Sequence, residues 1–238
     1  MDAVLGALAQ AVPDRVPADG EGGNTLISIG GTRPDGSQYA LVDFFGGARG
    51  GGPNSDGAEG VSHPASNLAG SPVEILEVEN PIIVDEYALI QDSGGAGKFR
   101  GTQSYAKQIT NLGDPAILQL RSDKRKFPPY GLQSGSPRSP SLNILNPGSN
   151  EKLLPTLAQV QLGHDDVIRH EMAGAGGWGD PLEREASAVL EDVIDSRVSV
   201  EAARTEYGIV ISEQGTEIDE DASVQLKLEM NIRRDQEA

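Results

Sequence analysis

Three glycine strings constrain this chain more than any other feature: Gly46-Gly47-Ala48-Arg49-Gly50-Gly51-Gly52-Pro53, Gly94-Gly95-Ala96-Gly97 and Gly174-Ala175-Gly176-Gly177-Trp178-Gly179. Glycine costs a helix or strand stability, and it permits sharp turns and backbone contacts that a Cβ forbids. With 30 glycines and 15 prolines in 238 residues, the chain cannot be a bundle of long helices. It must turn often, with regular elements between the turns. Only 4% of residues are aromatic, so the core rests on Val, Ile, Leu and Ala.

Between the strings the pattern is mostly that of strands. Residues 25–31 and 38–45 read as a hairpin across Arg33-Pro34-Asp35-Gly36. Residues 73–79 and 81–91 read as β-like segments; 102–110 reads as a strand paired with 116–122. Residues 127–151 read as a long surface loop, and 157–162 and 166–172 as strands flanking the His164-Asp165-Asp166 turn. Helical spacing appears at the start, in Leu5, Leu8, Ala9 and Val12 ahead of Pro13, and again in Val189, Leu190, Val193 and Ile194. Ser199 is placed to cap a further helix ending at Gly208. The class is therefore α+β: a β-rich mixed domain with long Gly/Pro loops, a short N-terminal helix and a C-terminal helical pair. Residues 1–181 form the β-rich core, 182–211 a helical segment of the same domain, and 212–238 an acidic, mobile tail. A chain that opens directly on a helix is expected to have been cut from a longer one.

The net charge of −17 repels phosphate backbones and anionic lipid, so neither nucleic acid nor membrane is expected as a partner. There is no cysteine, which excludes disulfides, thiol nucleophiles and Cys-ligated zinc. No apolar run reaches the roughly 18–20 residues of a membrane span. The first dozen residues lack the basic start and long apolar stretch of a signal peptide. A cytoplasmic protein is expected.

The chemistry-bearing strings are sparse. Gly94 to Gly101 has the glycines of a phosphate-binding loop, but Phe99 follows Lys98 where a Walker A loop needs a hydroxyl, and a strand follows instead of a helix. A structural turn is the better reading. The string around Trp178 reads as a packing device. His63, His164 and His170 are too scattered for a ligand set; His63, with Asp56, Glu59 and Asn67 nearby in sequence, is the one given a site role. Arg121, Lys124, Arg125 and Lys126, next to Phe127 and Tyr130, form a basic cluster that reads as a solvated loop or an anion contact. No G-x-S-x-G elbow is present.

Six segments in order give this string a resemblance. They are residues 4–18 and 71–77, Asp92-Ser93-Gly94-Gly95-Ala96-Gly97-Lys98-Phe99-Arg100-Gly101, Pro128-Pro129-Tyr130-Gly131-Leu132, residues 176–184, and residues 198–204 with Tyr207-Gly208-Ile209-Val210. In this order they resemble the C-terminal portion of the hydantoinase B/oxoprolinase family, relatives of which include N-methylhydantoinase, 5-oxoprolinase and acetone and acetophenone carboxylase subunits. The resemblance implies part of an ATP-dependent amidohydrolase that opens a cyclic amide such as hydantoin or 5-oxoproline. A ketone carboxylase subunit, or a non-catalytic assembly subunit or truncated product, are the alternatives. Implied partners are a hydantoinase A-type ATP-binding subunit and a chain carrying the N-terminal half of the hydantoinase B-type subunit. The family's N-D-P-Y and G-T-H-x-x-D strings are absent from this sequence. ATP and a divalent metal are therefore expected for the complete complex, with no metal or nucleotide site in this chain. The candidate pocket and loop residues are His63, Asp92, Gly94, Gly95, Gly97, Arg100, Gly176, Gly177, Gly179 and Asp180, with the catalytic residues unknown.

Overall fold

The computed structural model describes residues 1–33, 35–63, 65–66 and 68–237. Eight-residue strands β1 (Thr25–Thr32) and β2 (Gln38–Phe45) form the expected hairpin, with Thr25 opposite Phe45 and Thr32 opposite Gln38. In the turn, Gly36 donates its N–H to the Arg33 carbonyl at φ +84°, a conformation open to glycine; Pro34 of the predicted turn lies outside the described residues. Along β2 every second residue is buried, from Tyr39 through Leu41 and Asp43 to Phe45. That alternation marks a strand with one face in the core.

Two antiparallel sheets share this core. One has the order β2–β1–β5–β8, with β5 at Ala116–Arg121 and β8 at Leu157–Leu162. The other runs β3–β4–β9–β6–β7. Its strands are β3 (Ile82–Leu89), β4 (Tyr105–Asn111), β6 (Leu142–Leu145), β7 (Lys152–Leu153) and β9 (Val167–Glu171). Ile27, Ile29, Leu41, Phe45 and Leu118 from the first sheet meet Ile109, Ile168 and Leu145 from the second in one buried cluster.

Three local expectations are corrected. Residues 116–121 pair with β1 and β8, not with the preceding strand, because the chain changes sheets across 112–115. There the Asn111 side-chain amide holds the Gly113 and Gly163 carbonyls at 2.6 and 2.7 Å. Residues 73–79 form helix α2 (Val73–Glu79), which starts at Pro72 and ends where Asn80 Nδ2 donates to the Leu76 carbonyl. Its β-branched Val73, Ile75 and Val78 favour a strand, yet the segment is helical and Leu76 is its one buried side chain. Within 127–151, residues 142–145 are a strand with Asn143 and Leu145 buried.

A second cluster holds the C-terminal helices α3 (Ala186–Ile194) and α4 (Val200–Tyr207), which follow the N-terminal helix α1 (Asp2–Ala9) and α2 in chain order. Val189, Val198, Ala203, Tyr207 and Ile209 pack there against Ala96 of the second glycine string. Ser199 Oγ accepts from Ala202 N at 3.0 Å, and Gly208 ends α4 at φ +65°, so both predicted caps are in place. The stretch read as an acidic mobile tail, 212–238, carries β11 (Ile218–Asp219), which pairs with β10 (Val210–Ile211) just ahead of it, and then the 18-residue helix α5 (Glu220–Glu237). Lys227 Nζ donates to the Leu182 carbonyl at 2.8 Å and Arg234 pairs with Asp180. Among the described residues, no helix is long and apolar enough to cross a membrane.

Candidate functional site

The glycine strings are joints. The second and third run alongside one another and exchange backbone hydrogen bonds: Gly95 N to Ala175 O at 2.7 Å, Phe99 N to Trp178 O and Trp178 N to Phe99 O at 2.9 Å, Lys98 N to Gly179 O at 3.2 Å. The first string joins them through Gly51 N to Gly176 O at 3.0 Å. A Cβ on Gly177 would stand 2.0 Å from the Ala96 carbonyl oxygen, and one on Gly95 2.4 Å from Gly177 N. Gly94, Gly97 and Gly176 lie in the same close-packed seam, and Gly179 turns its exit at φ +77°. A phosphate cradle needs amides aimed at empty space; here many of the amides of these strings are given to neighbouring carbonyls.

The charged candidates are also held within the chain. Arg100 is buried: Nε donates to Asp192 Oδ1 at 3.2 Å, Nη1 to the Gly101 carbonyl at 2.9 Å, and Nη2 reaches Glu59 at 3.5 Å. Arg184 takes the other Asp192 oxygen at 2.7 Å and grips both oxygens of Asp56 at 2.7 and 2.8 Å. These contacts hold the Asp56 carboxyl below its usual range, against the burial that opposes them. Asp92, at φ +59°, accepts from Ser199 N through Oδ1 and from Arg138 through its carbonyl. Asp180 accepts from Leu182 N at 2.9 Å and from Arg234. His63 does not meet Asp56 or Glu59, which are drawn to the arginines; its Nδ1 accepts from Ala65 N at 3.2 Å. Asn67 lies outside the described residues. Of the basic cluster, Lys124 is paired with Asp19 at 2.5 Å and Lys126 stands over the Phe127 ring.

A different set of polar groups, of which the sequence reading named His170 alone and gave it no site role, gathers where the two sheets meet. Asp43 on β2 and Lys107 on β4 form an ion pair at 2.5 Å with both side chains buried, and the Lys107 ammonium lies 5.1 Å from the ring centres of Phe45 and Tyr87. His170 stacks on Phe45 at 5.4 Å; its Nδ1 faces Asn143 Oδ1 at 2.7 Å, and burial drives its pKa down to about 3. The imidazole is neutral at physiological pH. Beside this group, Glu21 is 2% exposed. Its Oε2 accepts from Gly47 N at 2.7 Å and its Oε1 lies 3.5 Å from Ser62 Oγ. Burial outweighs these hydrogen bonds and raises the Glu21 pKa to about 8, so the carboxyl is mostly protonated near neutrality.

Ser62 connects the buried acid to a surface cleft of about 300 Å³. Tyr87, Tyr105, Phe44, Leu68 and Leu89 wall it, with Gly46 and Gly60 at the end near Ser62. The Tyr87 and Tyr105 rings meet edge to face at 5.1 Å. Burial raises the pKa of both phenols, so both hydroxyls stay protonated. An inward Asp on β2 opposite an inward Lys on β4 was a readable signal of a polar core; Glu21, in an irregular segment, had none.

The family model described as Hydantoinase B/oxoprolinase matches residues 1–181. The chain belongs to the hydantoinase B/oxoprolinase family. It is 30% identical over 95% of its length to the B-type subunit of a putative D-/L-hydantoinase from Pseudomonas sp. (strain NS671), of which it covers 38%. To the caprolactamase beta subunit of Pseudomonas jessenii it is 32% identical over 93% of its length, covering 40% of that protein. Against the crystal structure of the ATP-dependent caprolactamase from Pseudomonas jessenii it superposes over 93% of its length with a TM-score of 0.78 at 26% identity, covering 40% of that chain. This family member thus spans about two fifths of the length of these relatives.

The resemblance read in the sequence implies ATP and a divalent metal for the complete complex. Among the described residues no three His, Asp or Glu side chains converge on a point that would hold a metal ion. Of the glycine-string amides, those of Gly51, Gly95, Gly176, Gly177, Trp178 and Gly179 are given to backbone carbonyls, so these six are not open to a phosphate.

Proposed function

We propose that this chain is the C-terminal part of a hydantoinase B-type subunit in an ATP-dependent enzyme that opens a cyclic amide. The observation that carries the reading is its likeness, over 93% of its residues, to the ATP-dependent caprolactamase chain, supported by two relatives named as subunits of hydantoinase and caprolactamase. In this reading ATP and a divalent metal are held by other polypeptide: a hydantoinase A-type ATP-binding subunit, and a chain carrying the N-terminal part of the hydantoinase B-type subunit. The assembly works in the cytoplasm. This chain contributes the rigid glycine seam and the Ser62–Tyr105 cleft as one wall of the site.

A second reading is a structural subunit that gives no group to the chemistry. It is favoured by one observation: Asp92, Arg100 and Asp180 are each held by partners within the chain. Purification with the two proposed partners tests both. Lactam-dependent ATP hydrolysis by the complex, lost when this chain is omitted, supports the first reading. No lactam-dependent hydrolysis over a panel of cyclic amides overturns it. Hydrolysis unaffected by substitutions in the cleft favours the second.

A further inference from the structure

The cleft beside Ser62 has a chemistry narrower than its family. Among its described lining residues no side chain carries a charge. The ammonium of Lys107, near its aromatic wall, is already paired with Asp43. A carboxylate entering the cleft would lose water and gain no counter-ion, which is costly. Its walls are rings and aliphatic side chains, suited to the methylenes of a small ring.

The polar end has a defined direction. Ser62 Oγ donates its single proton to Asn24 Oδ1 at 2.5 Å. Asn24 in turn donates through Nδ2 to Ser66 Oγ at 3.3 Å. Ser62 therefore has lone pairs left and no proton to give. Glu21 Oε1, at 3.5 Å, is too far away to compete for that proton. The free lone pairs can accept from a ligand N–H.

We infer that this cleft is a subsite for an uncharged lactam, its ring against Tyr87, Tyr105 and Leu89 and its ring N–H donating to Ser62 Oγ. The inference rests on the proposed function and narrows it: neutral rings such as caprolactam are accepted, and 5-oxoproline, which carries a carboxylate, is not.

The test is a ligand-observed NMR titration of the full chain with caprolactam, N-methylcaprolactam and 5-oxoproline. Saturable caprolactam binding is expected, with the other two at least tenfold weaker. Leu68→Trp, at a half-exposed wall position, fills the cleft and should abolish binding with the fold intact. Ser62→Ala should erase the preference for the N–H ring over its N-methyl form. Equal binding of 5-oxoproline, no binding of any ring, or unchanged binding by Leu68→Trp overturns the assignment. In the reconstituted complex, full lactam-dependent ATP hydrolysis by Leu68→Trp removes the subsite and favours the structural-subunit reading, while the complex's cyclic-amide activity stands. Absence of hydrolysis in the unaltered complex is the failure of that function itself.

Discussion

Asp192 on α3 receives a 2.7 Å hydrogen bond from Arg184 on its Oδ2, with both side chains almost fully excluded from water. Its other oxygen is taken by Arg100, from the second glycine string. One carboxylate thus ties the C-terminal helices to the seam. Removing a single partner from a buried ion pair leaves charge uncompensated. Asp192→Ala should lower stability by about 3–5 kcal/mol, read as a fall in the denaturant midpoint. A change below about 1 kcal/mol, the size typical of exposed pairs, would mean the cluster is hydrated in solution.

Gly177→Ala is expected to be among the most damaging single-methyl additions in the chain. Its Cβ would meet the Ala96 carbonyl oxygen at 2.0 Å and the Gly95 oxygen at 2.7 Å, both backbone. Gly52→Ala is the control, since its nearest atoms stand at 3.6 Å. Soluble yield and melting temperature should collapse for the first and stay close to wild type for the second. Equal behaviour of the two would contradict the seam.

Glu21 and His170 predict a pH profile with two edges. Glu21 titrates near 4.5 when unfolded and about 8 when folded. The folded state therefore holds the extra proton between these values, and stability falls as pH rises through that window. His170 goes from 6.5 unfolded to about 3 folded, so the unfolded state holds the extra proton and stability falls as pH drops from 6.5 toward 3. Between 4.5 and 6.5 the two slopes oppose and cancel. Above 6.5 the Glu21 slope stands alone, at up to about 1.4 kcal/mol per pH unit. Urea melts from pH 5 to 9 should show that decline, and Glu21→Gln should flatten it. A Gln variant that keeps the full slope would assign it elsewhere.

Lys107→Met keeps most of the side-chain volume and strands Asp43 in the core. A loss of about 3–5 kcal/mol is expected for breaking the buried pair. The double variant with Asp43→Leu should recover much of it, because an apolar pair of similar size needs no desolvation of charge. Non-recovery in a double-mutant cycle would show that Asp43 serves a contact other than Lys107.

The sequence was most readable where periodicity and caps agree. The β1–β2 hairpin, the Ser199 cap and the Gly208 stop were all legible because each depends on residues within a few positions of one another. Strand pairing was not. Residues 116–121 lie next to β4 in sequence, but their partners are β1 and β8, set by which apolar faces meet across the core. Helix α2 reads as a strand because three of its seven residues are β-branched, while burial selects Leu76 alone. Helix α5 alternates apolar and polar residues from Ala222 to Ile232 instead of showing a helical stripe, and its anchors, Lys227 on the Leu182 carbonyl and Arg234 on Asp180, are long-range. Among the candidate site residues, Asp92 and Arg100 were picked for their setting in the glycine string; their partners, Ser199 N and Asp192, sit about a hundred residues away. Glu21 offered no pattern at all.

The seam between the glycine strings has a mechanical consequence. Ala96 is held between bare backbone on one side and the C-terminal helices on the other. Within the seam the contact is backbone on backbone, so it offers no side chain whose repacking could absorb a displacement.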